Sequence, residues 1–110
     1  MSIREITVDG GRVELAAQAE LTIYQVRDAR GQLAAYLDVA SELQIDLSAV
    51  REFDGAGVQL LMYMKQECAR RDVAMRLIGH SQAVVDVFEL LNLGEHFGDP
   101  MVLTASGNES

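Results

Sequence analysis

Apolar and polar residues follow two different spacings along the chain, and stretches of the two kinds alternate. Short stretches with an apolar residue at every second position are typical of β-strands. Longer stretches in which apolar residues recur every three or four positions are typical of amphipathic helices. The predicted strands span residues 3–8, 12–17, 42–47, 73–78 and 101–104, and the predicted helices span residues 23–37, 55–71 and 82–91.

Strands that alternate with helices indicate an α/β domain. Asp9, Gly10 and Gly11 separate the first two strands and favour an antiparallel hairpin. The later strands are reached through helical crossovers, which make them parallel. The pattern therefore predicts a small mixed sheet of four to five strands, with an N-terminal antiparallel hairpin followed by parallel strands, and with helices packed mainly on one face. We expect one domain over residues 1–104 and a polar C-terminal tail over residues 105–110.

Helical spacing also assigns an inward face to each helix. The residues predicted to be buried are Val26, Ala29, Leu33, Tyr36 and Leu37 in the first helix, Val58, Leu61, Met62, Met64, Cys68 and Ala69 in the second, and Val84, Val85, Phe88 and Leu91 in the third. On the first helix, Arg27, Asp28, Arg30 and Gln32 fall on the opposite face and are expected to point into solvent.

Each predicted helix is preceded by a residue suited to cap it. Thr22, followed by Gln25, has the form of a capping box, in which the two side chains bond each other's backbone N–H groups. Asp54 and Ser81 are natural N-caps, because a side-chain oxygen there can accept the free N–H groups of the first turn.

The helix that Asp54 opens has an unusual first turn, because Gly55 and Gly57 leave it almost bare of side chains. Such a helix start exposes backbone donors and the positive end of the helix dipole. We expect a phosphate, a protein surface or another loop to approach closely here. A bulky residue at Gly57 is then expected to weaken partner binding more than it lowers stability.

The stretch around this helix start resembles the signature of the STAS domain family, which holds the anti-sigma-factor antagonists and the cytoplasmic tails of sulfate transporters. That signature is an apolar strand ending in Asp-Leu-Ser, followed by Asp-Ser-Ser-Gly or Asp-Thr-Ser-Gly, which opens a helix. The matching residues here are Asp46-Leu47-Ser48, Val50 and Phe53-Asp54-x-x-Gly57-Val58. The resemblance implies the α/β fold predicted above and a protein–protein interaction role.

By the same resemblance, the partner-binding surface would comprise Asp46, Ser48, Asp54, Gly55, Ala56, Gly57 and Val58. In the regulated antagonists of the family, the residue before the motif glycine is a serine that a partner kinase phosphorylates. Ala56 occupies that position here, so no hydroxyl remains in the motif. We therefore expect no phosphorylation at this site.

Composition restricts the classes of partner. Nine basic and seventeen acidic residues give a net charge of −8, which argues against nucleic acid and anionic membranes. Cys68 is the single cysteine, so the chain has no intrachain disulfide and suits a reducing compartment. Residues 1–10 do not resemble a signal peptide, and no stretch approaches the roughly 20 apolar residues of a membrane helix. These features predict a cytoplasmic protein.

The sequence offers little catalytic chemistry. Asp46, Glu52 and Asp54 are expected to cluster around one loop, where they could act as a general acid and base or bind a cation. Structural roles account for the same three residues without any catalysis: a turn at the strand end for Asp46, a solvent-exposed charge for Glu52 and a helix cap for Asp54. His80 and His96 lack a metal-ligand spacing, and no phosphate-binding loop or dinucleotide fingerprint is present. We expect neither catalysis nor a cofactor or metal.

Three functions remain open from the sequence. The first is an interaction module whose partner, by the resemblance, is an anti-sigma-factor kinase-like ATPase or a transporter or signalling complex with a STAS subunit. The second is a small enzyme using Asp46 and Asp54, and the third is a module that binds a nucleotide or lipid. A homodimer is compatible with each. Met62, Tyr63 and Met64 are consecutive, so at least one must point away from the core and could join a partner surface.

Overall fold

The computed structural model describes residues 2–91, in which four strands alternate with three helices. The elements are β1 (Ile3–Asp9), β2 (Arg12–Leu21), α1 (Val26–Leu37), β3 (Glu42–Phe53), α2 (Gly55–Arg70), β4 (Ala74–Ile78) and α3 (Gln82–Leu91). The sheet order is β1-β2-β3-β4, with β1 antiparallel to β2 and the other neighbours parallel. The predicted mixed α/β fold is confirmed. The predicted fifth strand at 101–104 and the tail at 105–110 lie outside the described residues.

The core lies between the sheet and the helices, and alternate positions of the two central strands supply its floor. Val13 and Leu15 of β2 and Leu43, Ile45 and Leu47 of β3 are each at most 1% exposed. The helices cover them with Ala29, Leu33, Leu61, Met64, Val84 and Phe88, which belong to the same buried cluster. Helical spacing therefore predicted most of the inward faces correctly.

Two of the residues predicted to be buried are exposed. Ala69 lies one position beyond the stripe formed by Leu61, Met64 and Cys68, so it turns away from the sheet. Leu91 is 50% exposed, and the last buried residue of α3 is Phe88.

Both central strands are longer than the alternation predicted. β2 continues to Leu21 instead of residue 17, and β3 continues to Phe53 instead of residue 47. Their pairing shifts register between Ala16 and Gln18 and again after Ala19, whose φ of 50 departs from the strand region. Irregularities of this kind break the two-residue periodicity without ending the strand. The segment after residue 47 is therefore strand, and the prediction of a turn there was wrong.

The helix α1 begins three residues later than predicted, at Val26 instead of residue 23. A turn precedes it, closed by the Val26 N–H, which donates to the carbonyl oxygen of Thr22 at 3.1 Å. The Oε1 atom of Gln25 accepts the Thr22 N–H at 3.1 Å, as the predicted capping box requires. The other half of the prediction was wrong, because the N-cap of α1 is Gln25 and no side chain caps the helix.

The outer strand β1 contributes only Ile3 to the buried core, and residues 4–9 are exposed. Its pairing with β2 is irregular between Glu5 and Thr7. The Tyr36 hydroxyl donates to the Glu5 carboxylate at 2.8 Å, which links α1 to this strand. No helix among residues 2–91 has the length and apolar character needed to cross a bilayer.

Candidate functional site

Asp54 is the N-cap of α2, as the sequence predicted. Its backbone is extended, with φ −137 and ψ −171, which aims the side chain back at the first turn. The Oδ1 atom accepts the backbone N–H groups of Ala56 at 2.9 Å and Gly57 at 3.2 Å. The carboxylate thus satisfies two donors that would otherwise lack an intrahelical partner, and its charge suits the positive end of the helix dipole.

The other carboxylate oxygen of Asp54 reaches a second loop. The Oδ2 atom accepts the backbone N–H of Ile23 at 3.1 Å, in the connection between β2 and α1. This connection and the start of α2 follow the ends of two neighbouring parallel strands, so they lie at the same edge of the sheet. One side chain therefore holds both loops together, a link between distant segments that no local sequence pattern predicts.

Gly57 permits a close approach between the first turn of α2 and the end of β2. A Cβ atom at this position would collide with the backbone carbonyl oxygen of Leu21 and would lie 2.7 Å from the ring of Phe53. A Cβ at Gly55 would meet nothing within 4 Å. Of the two glycines in the turn, Gly57 is the one that packing requires, and the loop that approaches it belongs to the chain itself.

The two loops present a small exposed surface, which we call the helix-start surface and define as Ile23, Tyr24, Gly55 and Ala56. Ile23 is 67% exposed and Tyr24 is 88% exposed. Gly55 is exposed and Ala56 is half-buried, whereas Gly57 and Val58 are buried. Gly57 and Val58, which belong to the predicted partner-binding set, therefore lie beneath this surface and are not part of it.

A groove of about 500 Å³ runs between α1 and α2 and begins at the helix-start surface. We call it the α1–α2 groove; it is lined by Val26, Arg27, Arg30, Ala56, Gln59, Leu60 and Tyr63. The guanidinium of Arg30 lies over the ring of Tyr63, 4.1 Å from its centroid. Arg27 and Arg30 are exposed, as helical spacing predicts, but that spacing does not show that α2 borders their face of α1. Of the three consecutive residues Met62, Tyr63 and Met64, Tyr63 is the one that lines this groove, and it is half-buried.

Asp46 and Ser48 lie elsewhere. The Oδ1 atom of Asp46 accepts the Ser48 N–H at 2.8 Å, and a Cβ at Gly79 would lie 2.5 Å from the same oxygen, so the pair abuts the β4–α3 connection. Because β3 continues to Phe53, and a strand rises about 3.3 Å per residue, Asp46 and Asp54 are separated by on the order of 20 Å. The expectation that Asp46, Glu52 and Asp54 cluster around one loop was wrong.

Asp54, His80 and Ser81 make structural contacts in the described part of the chain. No group of three or more His, Cys, Asp or Glu side chains within residues 2–91 is arranged to hold a metal ion. Both oxygens of Asp54 accept backbone N–H groups, so the carboxylate is committed to structure. His80 is buried, with its ring 5.7 Å from that of Phe88. The Ser81 Oγ accepts the Val84 N–H at 3.3 Å, which confirms its predicted capping role.

Several displaced pKa values have structural causes away from this surface. Burial raises the pKa of the Cys68 thiol, in agreement with its predicted place in the core. The hydrogen bond to Glu5 raises the pKa of Tyr36. The hydrogen bond from Arg70 lowers the pKa of Glu67 on the exposed end of α2.

Comparison with known families and structures gives consistent matches. The model of a family described as "Mlab, STAS domain" matches residues 5–104. The anti-sigma factor antagonist SpoIIAA in its unphosphorylated form has 22% sequence identity and a TM-score of 0.69, over 89% of this chain and 87% of that one. An anti-sigma factor antagonist from Mycobacterium paratuberculosis has 20% identity and a TM-score of 0.77, over 96% of this chain and 89% of that one.

A third solved structure, the Bacillus cell fate determinant SpoIIAA in the phosphorylated form, has 18% identity and a TM-score of 0.68, over 89% of this chain and 90% of that one. At these identities the structures establish a shared fold. A search of curated protein sequences finds no match.

Proposed function

Because this chain belongs to the STAS domain family, we propose that it is a non-catalytic protein–protein interaction module that resembles an anti-sigma-factor antagonist. Its docking surface is the helix-start surface. The observation that carries the proposal is the double role of Asp54, which caps α2 through one oxygen and holds the Ile23 N–H through the other. This arrangement fixes an exposed isoleucine and tyrosine beside an almost bare helix start. A rigid, partly apolar patch of this kind suits a protein partner.

The proposed module is not switched by phosphate at the motif. One of the similar solved structures is described as a phosphorylated form. The family resemblance makes Ala56 the expected counterpart of the phosphorylated serine, and Ala56 and its neighbours Gly55 and Gly57 all lack a hydroxyl. The module is then either permanently competent to bind or controlled through its partner.

The first candidate partner is an anti-sigma-factor kinase-like ATPase. The second is a subunit of a transporter or signalling complex that uses a STAS domain, a role favoured by the absent hydroxyl at Ala56. In either case the chain acts in the cytoplasm, without nucleic acid, membrane insertion, a cofactor or a metal. The exposed side chains of Ile23 and Tyr24 favour a protein over a nucleotide or lipid as the ligand.

The proposal is tested by truncating an exposed side chain of the docking surface. Tyr24→Ala should weaken partner binding at least about tenfold, because buried tyrosines dominate many interfaces. Leu90→Ala is the matched control, since Leu90 is 81% exposed on α3 and its truncation also leaves the core intact. The partner is captured from the native cytoplasm with wild-type protein, identified by mass spectrometry, purified and titrated by calorimetry.

Equal affinities for wild type and Tyr24→Ala would overturn the assignment of this surface. A measured enzymatic turnover that Asp54→Asn abolishes in the folded protein would overturn the non-catalytic role.

A further inference from the structure

We propose that the α1–α2 groove binds a carboxylate-bearing segment of the protein partner, with Arg27 and Arg30 as the residues that select it. This inference rests on the proposed function, because it assigns the chemistry of the partner that docks beside the helix-start surface. Ala56 belongs to both the surface and the groove, so a partner seated on one continues directly into the other.

The charge of the groove is opposite to that of the chain. The whole sequence has a net charge of −8, yet the lining of the groove contains two arginines and no acidic residue. A cationic groove on an acidic protein attracts an acidic segment locally while the remaining surface repels it, which favours one docking position.

Neither arginine of the groove forms an ion pair among residues 2–91. At the other end of α2 the situation differs, since Arg70 contacts Glu67 at 2.9 Å and Arg71 contacts Asp38 at 2.6 Å. The arginines of that end are therefore paired within the chain, whereas Arg27 and Arg30 have no carboxylate partner among residues 2–91.

The contact between Arg30 and Tyr63 orients the guanidinium. Stacking on an aromatic ring uses the face of the planar group and leaves the N–H donors on its edge available. These donors match the two oxygens of a carboxylate, which a guanidinium binds in a bidentate geometry. A positioned guanidinium loses less side-chain freedom on binding than a mobile one, so this stacking favours recognition of a carboxylate.

The other lining residues suit a peptide segment. Val26 and Ala56 provide small apolar contacts, and the exposed Gln59 offers an amide that can donate to and accept from an extended backbone. The groove therefore combines charge recognition with apolar and backbone contacts, as expected for an acidic segment containing apolar residues.

The test uses the intact chain, labelled with ¹⁵N, and capped hexaglutamate as the probe at low salt. Hexaglutamate should cause saturable shifts in the amide signals of Gln59 and Tyr63. The double variant Arg27→Gln/Arg30→Gln should bind at least about tenfold more weakly, equivalent to about 1.4 kcal/mol. Arg4→Gln is the matched control: Arg4 is exposed next to the core residue Ile3 on β1, so its side chain points to the opposite face of the sheet.

Three results would overturn the proposal. They are an absence of saturable shifts with hexaglutamate, equal shifts with capped hexaglutamine, and equal binding by the double variant and Arg4→Gln. Titration with inorganic phosphate at the same concentration tests whether the groove is a site for small anions. Amide shifts that saturate with phosphate alone as they do with hexaglutamate would also contradict a segment-binding groove. Thermal unfolding of each variant verifies that the compared proteins are folded.

The experiment separates this inference from the proposed function. Suppose that Tyr24→Ala weakens binding of the captured partner, whereas Arg27→Gln/Arg30→Gln leaves the affinity for that partner unchanged. The assignment of the docking surface then stands and the groove assignment fails. If the peptide binds the groove but Tyr24→Ala has no effect on the partner, the assignment of the helix-start surface fails and the groove assignment stands.

Discussion

The backbone N–H of Ile23 donates to the Oδ2 atom of Asp54 at 3.1 Å, although the two residues are 31 positions apart in the sequence. This bond makes a helix cap into a link between two loops. The placement of the exposed Ile23 and Tyr24 side chains therefore depends on the same carboxylate that begins α2.

We predict that Asp54→Ala lowers the free energy of unfolding by about 0.5–2 kcal/mol, because two N–H groups of α2 lose their acceptor. Urea denaturation measures this change. Asp54→Asn is the matched control, since asparagine is also a good N-cap and should retain most of the stability. In Asp54→Ala the Ile23 amide should also exchange its hydrogen faster. An unchanged denaturation midpoint in Asp54→Ala would show that the cap contributes no stability.

We predict that Gly57→Ala destabilises the chain by about 1–3 kcal/mol, because its Cβ would collide with the carbonyl oxygen of Leu21. Gly31→Ala on the exposed face of α1 is the control: a Cβ there meets nothing within 4 Å, and alanine should stabilise the helix by about 1 kcal/mol. The structure thus reverses the expectation that a larger residue at Gly57 would affect binding more than stability. Thermal unfolding measures the stability of both alanine variants. An equal change in stability for Gly57→Ala and Gly31→Ala would contradict this packing argument.

We predict that a candidate kinase partner with ATP leaves the wild-type segment 48–58 unmodified, because Ala56 has no oxygen to accept phosphate. Ala56→Ser introduces a hydroxyl at the position where the family resemblance places the phosphorylated serine of the regulated antagonists. Phosphate found by mass spectrometry only in Ala56→Ser would support both the alignment and the loss of the switch. Stoichiometric phosphate on the wild-type segment would refute the prediction, and modification of neither form would favour the transporter or signalling-complex role.

We predict that the Cys68 thiol reacts slowly with a disulfide reagent in the folded protein at about pH 8, because burial hinders access and raises its pKa above the ordinary value. Denaturant should make the same thiol react rapidly, which serves as the control. Since the folded-state pKa is raised, the stabilisation from keeping the thiol neutral persists below the unfolded pKa near 9.0 and is lost as the pH rises through the folded pKa. Equal labelling rates with and without denaturant would show that the thiol is accessible.

Local chemistry explains why much of the fold could be predicted. The caps at Asp54 and Ser81 depend on side chains within three residues of the N–H groups they bond, so sequence spacing is sufficient to find them. The buried positions alternate as far as Leu15 in β2 and Leu47 in β3, and the prediction is accurate up to those residues.

The remaining features depend on contacts between distant segments. The extension of β3 past Ser48 rests on pairing with β2 beyond an irregularity, which no local pattern in the sequence indicates. The α1–α2 groove likewise depends on how two helices pack, so Arg27 and Tyr63 carry no separate signal for it. The separation of Asp46 from Asp54 follows directly from the unpredicted length of β3.

The irregular outer strand β1 also affects how copies of the chain meet in a crowded solution. An open strand edge is a template on which a second sheet can grow, and bulges and charged side chains are common defences against such growth. Here the pairing is irregular between Glu5 and Thr7, and the exposed residues include Arg4 and Asp9. A second β1 cannot align along this edge without opposing its bulge and charges. The irregular pairing and the charges of this edge therefore disfavour the pairing of β1 with a β1 strand from a second copy.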